Sequence, residues 1–405
     1  MPASSLRLLT AEEALRLLSI RRQTLYAYVS KGWIRSVAVP NSREHRYLYD
    51  DCQRVHQRAL ARAGHRAAAS AALSGDTPLI SSSITELRPS GPWYRGHSAL
   101  ELAAGGISFE AVCHLLWQGE LAEPVDCPPT SLALQTGYRP GETADSRHWH
   151  RQLASCLLAS DTLEQPAGYA DCLALQQHAI GYLGHLGPSR RFIRARSGQP
   201  CVAHLCAALG LTDTPLLRQS LGRFLILFCE HELSPSTFAV RTAASTGTAV
   251  TAALASALAV TTGHALHGVY IELQDWLARH RDLHALRAAA LRGLEAGRGL
   301  PGYNHPVYHD QDVRTTTLLQ HLSVHYGHLP ALQPLLAYID WLAAEHGLHP
   351  RHELACMALG RALGLPLEQV PALFVVARLA GWIAHYLEQC EQGQLFRPRS
   401  APPTR

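Results

Sequence analysis

From Thr77 to the C-terminus the chain carries one persistent pattern, in which apolar residues recur three and four positions apart. This spacing places them on one face of an α-helix, and it is clear in Ser108–Trp117, Leu216–Phe228 and Leu373–Leu387. Alanine-rich stretches such as Thr248–Val260 suit helices that pack closely together, and alternation of β-branched residues is scarce. The pattern predicts a mainly α fold for this body, with short extended pieces only near its start.

Composition narrows the class of protein. With 405 residues, 47% hydrophobic and 17% charged, the chain is too long for one ordinary domain and too apolar for a disordered protein. Its longest strongly apolar run, Ala249–Val260, is shorter than the ~20 residues of a membrane span, and no secretory signal is evident. We therefore expect a cytoplasmic protein with no membrane partner.

The cysteines and histidines do not predict a metal site. Ten cysteines are scattered along the chain, and the one close pair, Cys201 and Cys206, lacks the second pair that a tetrahedral site needs. The alternating His148 and His150 are not a site either. We expect reduced, mostly buried thiols and no bound metal.

Charge divides the chain into a basic head and a near-neutral body. Residues 1–70 carry 12 Lys and Arg against 5 Asp and Glu, a net charge of +7. The remaining residues carry 24 against 27, a net charge of −3. A small basic module on a larger globular one is the layout of many nucleic-acid-binding proteins.

Local signals in the head predict two short helices and a two-stranded wing. Thr10-Ala-Glu-Glu13 is a capping box that begins the first helix, and the second runs from about Arg21 to Ser30. Two extended runs, Ile34–Val39 and Arg46–Tyr49, then flank a turn. Two short helices joined by a tight turn are typical of a helix-turn-helix.

The run Thr24-Leu-Tyr-Ala-Tyr-Val-Ser-Lys-Gly32, followed by Arg46-Tyr47, resembles the MerR-like winged helix-turn-helix over roughly residues 8–62. The resemblance implies that the head binds double-stranded DNA through its second helix and wing. The residues expected at that interface are Arg21, Arg22, Thr24, Tyr26, Lys31, Arg43 and Arg46. In the competing interpretation these basic residues are simply exposed to solvent, and the head serves packing or dimerisation rather than DNA binding.

These observations divide the chain into three parts. Residues 1–66 form the predicted winged helix-turn-helix domain, and the small, low-complexity residues 67–76 form a linker. Residues 77–405 form the helical body.

Several segments of the body, taken in order, resemble the citrate synthase family. The matching strings include Ser81-Ser-Ser-Ile-Thr-Glu-Leu87, His231-Glu-Leu-Ser-Pro-Ser-Thr-Phe-Ala-Val-Arg241, Leu266-His-Gly268, Pro301-Gly-Tyr-Asn-His-Pro-Val-Tyr308 and Phe396-Arg-Pro398. Their order and spacing hold over about residues 78–398. The resemblance implies an all-α citrate synthase fold with large and small helical domains, a homodimer, and an active site in the cleft between the domains.

Members of this family join acetyl-CoA, or another short acyl-CoA, to oxaloacetate or a related 2-oxo acid, and they need no metal or other cofactor. The chemistry requires a carboxylate to take a proton from the weakly acidic acyl carbon and donors for the developing oxyanions. It also requires arginines, which hold carboxylates bidentately. The resemblance assigns catalysis to His267, His305 and Glu353, and 2-oxo acid binding to His231, Arg314, Arg378 and Arg397. Arg397 matches an arginine that reaches across the dimer.

Two departures from the family pattern touch the acyl-CoA half of the site. The family base is an aspartate, whereas this chain has Glu353, whose extra methylene moves the basic oxygen by roughly 1 Å. After Leu266-His-Gly268 the family usually has small residues and an asparagine, whereas this chain has Val269-Tyr-Ile271.

Three interpretations follow from these departures. The first is an acyltransferase that condenses acetyl-CoA with oxaloacetate, uses Glu353 as the base and carries a DNA-binding or dimerising head. The second is a weakly catalytic transcriptional regulator whose body senses a di- or tricarboxylate or an acyl-CoA. The third is a structural paralogue with neither function. We favour the enzyme, because a carboxylate remains at the base position.

Overall fold

A computed structural model of the chain describes residues 8–18, 20–39, 42, 44–61, 80–127, 148–160, 168–303, 308 and 311–397. These residues form a small N-terminal head of mixed helices and strands, followed by a helical body. The domain and linker boundaries predicted at residues 66 and 76 lie outside the described residues.

The head has a three-stranded antiparallel sheet of order β1-β3-β2. Its elements are β1 Leu8–Leu9, α1 Ala11–Leu18, α2 Arg22–Ser30, β2 Ser36–Ala38, β3 His45–Leu48 and α3 Tyr49–Ala61. The predicted capping box is confirmed: the Thr10 backbone N–H donates to Glu13 Oε2 at 2.8 Å, and the Glu13 N–H donates to Thr10 Oγ1 at 3.2 Å. The predicted helices and hairpin are present as well. Strand β1 was not predicted, because two residues are too few to show the alternation of apolar and polar residues that indicates a strand.

The head has its own small core. Ala14, Leu18 and Leu25 are buried there with Tyr47 and Cys52. Because Leu25 is the buried residue of α2, the opposite face of that helix is left to solvent.

The body begins with a small three-stranded sheet and continues as helices, which confirms the mainly α prediction. Its elements are β4 Thr85–Arg88, β5 Gly91–Tyr94, β6 His97–Ser98, α4 Ala99–Ala104, α5 Phe109–Gln118, α6 Trp149–Leu158, α7 Tyr169–Tyr182, α8 Cys201–Leu209, α9 Pro215–Phe228, α10 Pro235–Ala244, α11 Val250–Thr261, α12 Val269–Arg279, α13 Leu283–Glu295, α14 Val313–Tyr326, α15 Gln333–His346, α16 His352–Ala362 and α17 Val370–Gln392. Helices begin where the sequence offers caps: the Ser108 hydroxyl accepts from Ala111 N at 3.2 Å, and α9 begins with a proline in its first turn.

Helix α17 is the central helix of the body. With the preceding turn, Leu367–Gln392 is long and apolar enough to cross a membrane by length and composition, but 89% of its most apolar window is buried inside the protein. Charged residues such as Arg378 lie within this stretch, so the sequence shows no uninterrupted apolar run of that length. Its burial is that of a core helix.

The head is docked on the body through its sheet. Leu8, Val37 and Leu48 are buried and belong to the same contiguous apolar cluster as the core of the body. The Leu8 N–H also donates to the carbonyl of Gly297 at 3.3 Å, just beyond the end of α13. The outward face of α2 takes no part in this contact: Arg21, Arg22 and Tyr26 are exposed.

Candidate active site

Five of the seven predicted catalytic and substrate-binding side chains line one cavity of about 310 Å³ in the body. They are His231, His267, Arg314, Glu353 and Arg378. They come from five separate stretches of the chain, so only the fold brings them together.

His231 lies in the segment between α9 and α10, and buried polar contacts hold that segment. Its Nε2 is 2.8 Å from the Tyr308 hydroxyl, and burial raises the pKa of Tyr308 to about 12, so that hydroxyl keeps its proton. The preceding residue, Glu230, is fully buried, and its Oε1 is 3.2 Å from His385 Nε2. Burial alone would raise the pKa of Glu230, but His385 and then Arg378 outweigh it and lower that pKa.

The buried polar network continues from His385 to α10. His385 Nδ1 lies 3.1 Å from Arg241 Nη1, which also donates to Glu388. Glu388 in turn accepts from the backbone N–H and hydroxyl of Ser83 at 2.7 and 2.8 Å. The segment that carries His231 is thus tied to α10, to α17 and to the start of the body.

His267 lies in a single π-helical turn, His264–Gly268, between α11 and α12. A Cβ at Gly268 would overlap the exposed His264 ring, so a larger residue there requires that ring to move. The His150 ring faces His267 and is itself stacked on Trp149, with 3.6 Å between ring centroids. Burial lowers the pKa of His267, so a neutral imidazole faces the cavity at neutral pH.

Arg314 and Arg378 supply buried positive charge. The Arg314 Nε and Nη2 groups donate to the two oxygens of Asp312, at 2.9 and 2.7 Å, and its guanidinium lies 5.4 Å from the centre of the Phe228 ring. Burial alone would lower the pKa of Arg314, but Asp312 outweighs it and raises that pKa. Arg378 is 5% exposed, burial lowers its pKa, and its Nη1 has no hydrogen-bond partner among the described residues. A buried guanidinium with an unused donor is suited to bind a carboxylate.

Glu353 lies in the first turn of α16, where the helix dipole favours a negative charge. Arg351 Nη2 donates to its Oε1 at 2.7 Å. The other oxygen, Oε2, is buried and has no hydrogen-bond partner among the described residues. His352 Nδ1 lies 3.4 Å from Oε2, but burial holds the pKa of His352 well below its usual range, so this contact is not an ion pair.

The altered residues after Leu266-His-Gly268 place one side chain in the cavity. Tyr270 lines it, is buried, and lies 3.6 Å from Cys356 Sγ through its hydroxyl. Val269 is buried, whereas Ile271 is 48% exposed. Of the three changes, therefore, Tyr270 alone can alter the shape of the site directly.

The remaining predicted residues either lie elsewhere in the described part of the chain or fall outside it. His305 and Arg43 lie outside the described residues. Arg397 is exposed beyond the end of α17 and does not line the cavity of its own chain. In the head, Arg21, Arg22, Tyr26 and Lys31 are exposed, whereas Thr24 and Arg46 are half-buried.

Among the lining side chains that sequence reasoning did not assign to the site are Trp149, His150, Arg351 and His352. The His148-Trp-His150 string was noticed only as an incomplete metal motif, and its contact with His267 depends on tertiary packing. Arg351 and His352 directly precede Glu353, and their position next to the predicted base was the one signal in the sequence that could have placed them in the site.

The family model described as "Citrate synthase, C-terminal domain" matches residues 73–399 of this chain. The citrate synthase of Haloferax volcanii is 25% identical over 334 residues, covering 76% of this chain and 88% of that protein. The 2-methylcitrate synthase 1 of Corynebacterium glutamicum is 26% identical over 352 residues, covering 76% of this chain and 88% of that protein.

A solved structure shares the fold. It is a ternary complex of the Thermoplasma acidophilum citrate synthase with carboxymethyl coenzyme A and oxaloacetate, with a TM-score of 0.65 and 20% identity. The similarity covers 82% of this chain and 96% of that chain. The family model begins at residue 73, which is beyond the last described helix of the head, α3 Tyr49–Ala61.

Proposed function

Because the chain belongs to the citrate synthase family and is a transferase of that type, we propose that it condenses a short acyl-CoA with oxaloacetate and releases CoA. Acetyl-CoA is the first candidate for the acyl donor, and no cofactor is required. The observation that carries the proposal is the convergence of His231, His267, Arg314, Glu353 and Arg378 on one cavity. The ligands named for the Thermoplasma complex, a CoA derivative and oxaloacetate, support the choice of substrates.

The proposed chemistry begins at the acyl-CoA half of the site. Glu353 takes one proton from the carbon next to the thioester, and the electron pair of that C–H bond moves toward the thioester oxygen. Neutral His267 donates a hydrogen bond to this oxygen, where the negative charge develops. A neutral imidazole suits this role, because its pKa is lowered by burial.

The second step forms the carbon–carbon bond. The nucleophilic carbon attacks the ketone carbon of oxaloacetate, and the ketone oxygen takes a proton, for which His305 is the proposed donor. Water then cleaves the thioester, which releases the CoA thiol and leaves a tricarboxylic acid. His231, Arg314 and Arg378 are proposed to bind the 2-oxo acid throughout. In a homodimer, Arg397 is proposed to reach the site of the other copy.

The proposed activity is tested by release of free CoA thiol from acetyl-CoA and from propionyl-CoA, each with and without oxaloacetate. Oxaloacetate-dependent release faster than about 1 per second is expected. Glu353→Gln, which keeps the shape of the side chain and removes the base, should abolish it. No release from the wild type, with oxaloacetate still binding by calorimetry, would instead favour the metabolite-sensing regulator.

We also propose that the head is a MerR-like winged helix-turn-helix that binds duplex DNA. Its net charge of +7 over residues 1–70 and the exposure of Arg21, Arg22, Tyr26 and Lys31 support this. The head docks through Leu8, Val37 and Leu48, and the exposed residues of α2 remain accessible to solvent in the docked head. Two copies in a homodimer would present two such faces for paired half-sites.

The DNA proposal predicts a salt-dependent affinity for duplex DNA of mixed sequence. The logarithm of the binding constant should fall linearly with the logarithm of the salt concentration, and R21A/R22A should reduce that slope by about 1–2. Arg16→Ala is the matched control, because Arg16 is exposed in the head but lies on α1. An affinity for DNA that does not change with salt would contradict the proposed DNA binding, and it would leave the proposed acyltransferase activity standing.

A further inference from the structure

The residue beside the proposed base is itself held in place. Arg351 is the N-cap residue of α16, and its backbone N–H donates to the Gly302 carbonyl at 2.7 Å. An isolated antiparallel bridge pairs the neighbouring residues, Tyr303 and Pro350. The backbone of Arg351 is thus fixed against the segment that leads toward His305.

From this anchored backbone the side chain of Arg351 turns to Glu353. Its Nη2 donates to Oε1 at 2.7 Å, with side-chain exposures of 16% for Arg351 and 2% for Glu353. A charge-assisted hydrogen bond with so little access to solvent is stronger than a surface ion pair. The contact occupies one carboxylate oxygen and leaves Oε2 without a hydrogen-bond partner among the described residues.

A glutamate has one more rotatable bond than an aspartate, and its carboxylate is correspondingly harder to place. A misplacement of about 1 Å at a reacting group can lower the rate about 100-fold. Glu353 has the longer side chain, and Arg351 supplies a fixed donor that selects one position for it. His352, which burial keeps neutral, is stacked on Phe374 with 4.7 Å between ring centroids, and its Nδ1 lies 3.4 Å from Oε2.

From this geometry we infer that Arg351 is a positioning residue, which holds Oε1 so that Oε2 of Glu353 is directed to the proton that it removes. The inference rests on the proposed function, because it assumes that Glu353 is the base. The alternative role for Arg351, which also lines the cavity, is direct binding of a substrate carboxylate or phosphate.

The two roles are separated by steady-state kinetics of R351A, E353A and the double variant, with CoA release as the readout. A positioning role predicts that R351A lowers kcat about 100-fold while KM for oxaloacetate and for acetyl-CoA stays within about twofold. Because Arg351 acts through Glu353, adding R351A to E353A should cause no further loss. Lysine is a shorter donor of the same charge, so R351K should recover part of kcat.

Arg361→Ala is the matched control, because Arg361 lies on the same helix, is half-buried and donates to the Ala331 carbonyl at 3.4 Å. Its kcat should equal that of the wild type, and melting temperatures of all variants check that they fold. A rise in either KM with kcat unchanged would overturn the inference in favour of substrate binding. Additive losses in the double variant, or full activity of R351A, would also overturn it. An inactive wild type would overturn the inference together with the proposed function.

Discussion

The imidazole ring of His150 stands edge-on to that of His267, with ring centroids 4.3 Å apart and ring planes at 87°. Burial, and then the neighbouring His267, lower the pKa of His150 to about 3, and burial lowers that of His267. Both rings are therefore neutral at neutral pH. Protonation of either buried ring therefore costs stability.

Replacing His150 with Phe should make the stability of the protein less sensitive to acid. In the unfolded chain a histidine has a pKa near 6.5, whereas His150 in the folded protein has a pKa of about 3. The unfolded state therefore binds more protons between these values, and stability is lost as the pH falls from about 6.5 toward 3. Between pH 7 and pH 5 the wild type should lose on the order of 2 kcal/mol more than H150F.

Urea unfolding at pH 7, 6 and 5 measures this difference. His284→Phe is the control, because His284 is exposed on α13, and it should keep the pH dependence of the wild type. If H150F and the wild type lose equal stability on acidification, His150 is not a buried neutral histidine.

Arg314→Ala should weaken oxaloacetate binding by about 2–3 kcal/mol, because a bound carboxylate loses a charged, desolvated donor. Isothermal calorimetry measures the affinity directly. Arg218→Ala provides the comparison, since Arg218 forms an exposed ion pair with Asp213 at 2.6 Å and should leave binding unchanged. Equal affinities in R314A and the wild type would exclude Arg314 from the binding site.

Glu353→Asp should lower turnover about 100-fold, because withdrawing the carboxylate by one methylene misplaces the basic oxygen by about 1 Å. The same change also lengthens the 2.7 Å contact with Arg351. Thiol release under saturating acetyl-CoA and oxaloacetate gives kcat. A turnover that rises in the aspartate variant would mean that the site is still shaped for the shorter residue.

Gly381→Ala should destabilise the protein by about 3 kcal/mol or more, because a Cβ there overpacks a rigid interior. It would clash with Glu230 Oε2 and with the Cys229 carbonyl, which accepts from Gly381 N at 3.1 Å. Gly222→Ala is the matched change: this glycine also lies inside a helix, α9, and among the described residues a Cβ would contact only Val202, at 3.9 Å.

The Gly222 variant should be as stable as the wild type or up to ~1 kcal/mol more stable, since alanine favours helix. Guanidinium unfolding of the two variants and the wild type gives the comparison. Similar stabilities for G381A and G222A would show that the segment around Glu230 moves freely to accept a larger residue.

The fold and much of the site were predictable because their signals are local or lie within longer strings. Apolar spacing gave the helices, and Thr10 with Glu13 gave the start of α1. His231 and His267 were identified because each is part of a matching segment rather than an isolated histidine. Both line one cavity, and their assignment to the site and their roles stay predictions.

The features that were missed depend on contacts between distant parts of the chain. Nothing near His150 in the sequence indicates His267, which is more than a hundred residues away, and their contact exists only through the packing of α6 beside the π-helical turn. The two-residue strand β1 is stabilised by pairing with β3 rather than by its own propensity.

The seating of the head on Gly297 has a consequence for how this protein can evolve. Leu8, Val37 and Leu48 fill apolar surface on the body, so loss of the first 61 residues would leave that surface open to water and prone to aggregation. A single deletion of the head is therefore expected to destabilise the body or make it less soluble. A substitution in this contact has to remain compatible with both the head and the body. We therefore expect the two units to be inherited together, even in proteins where one of them has lost its function.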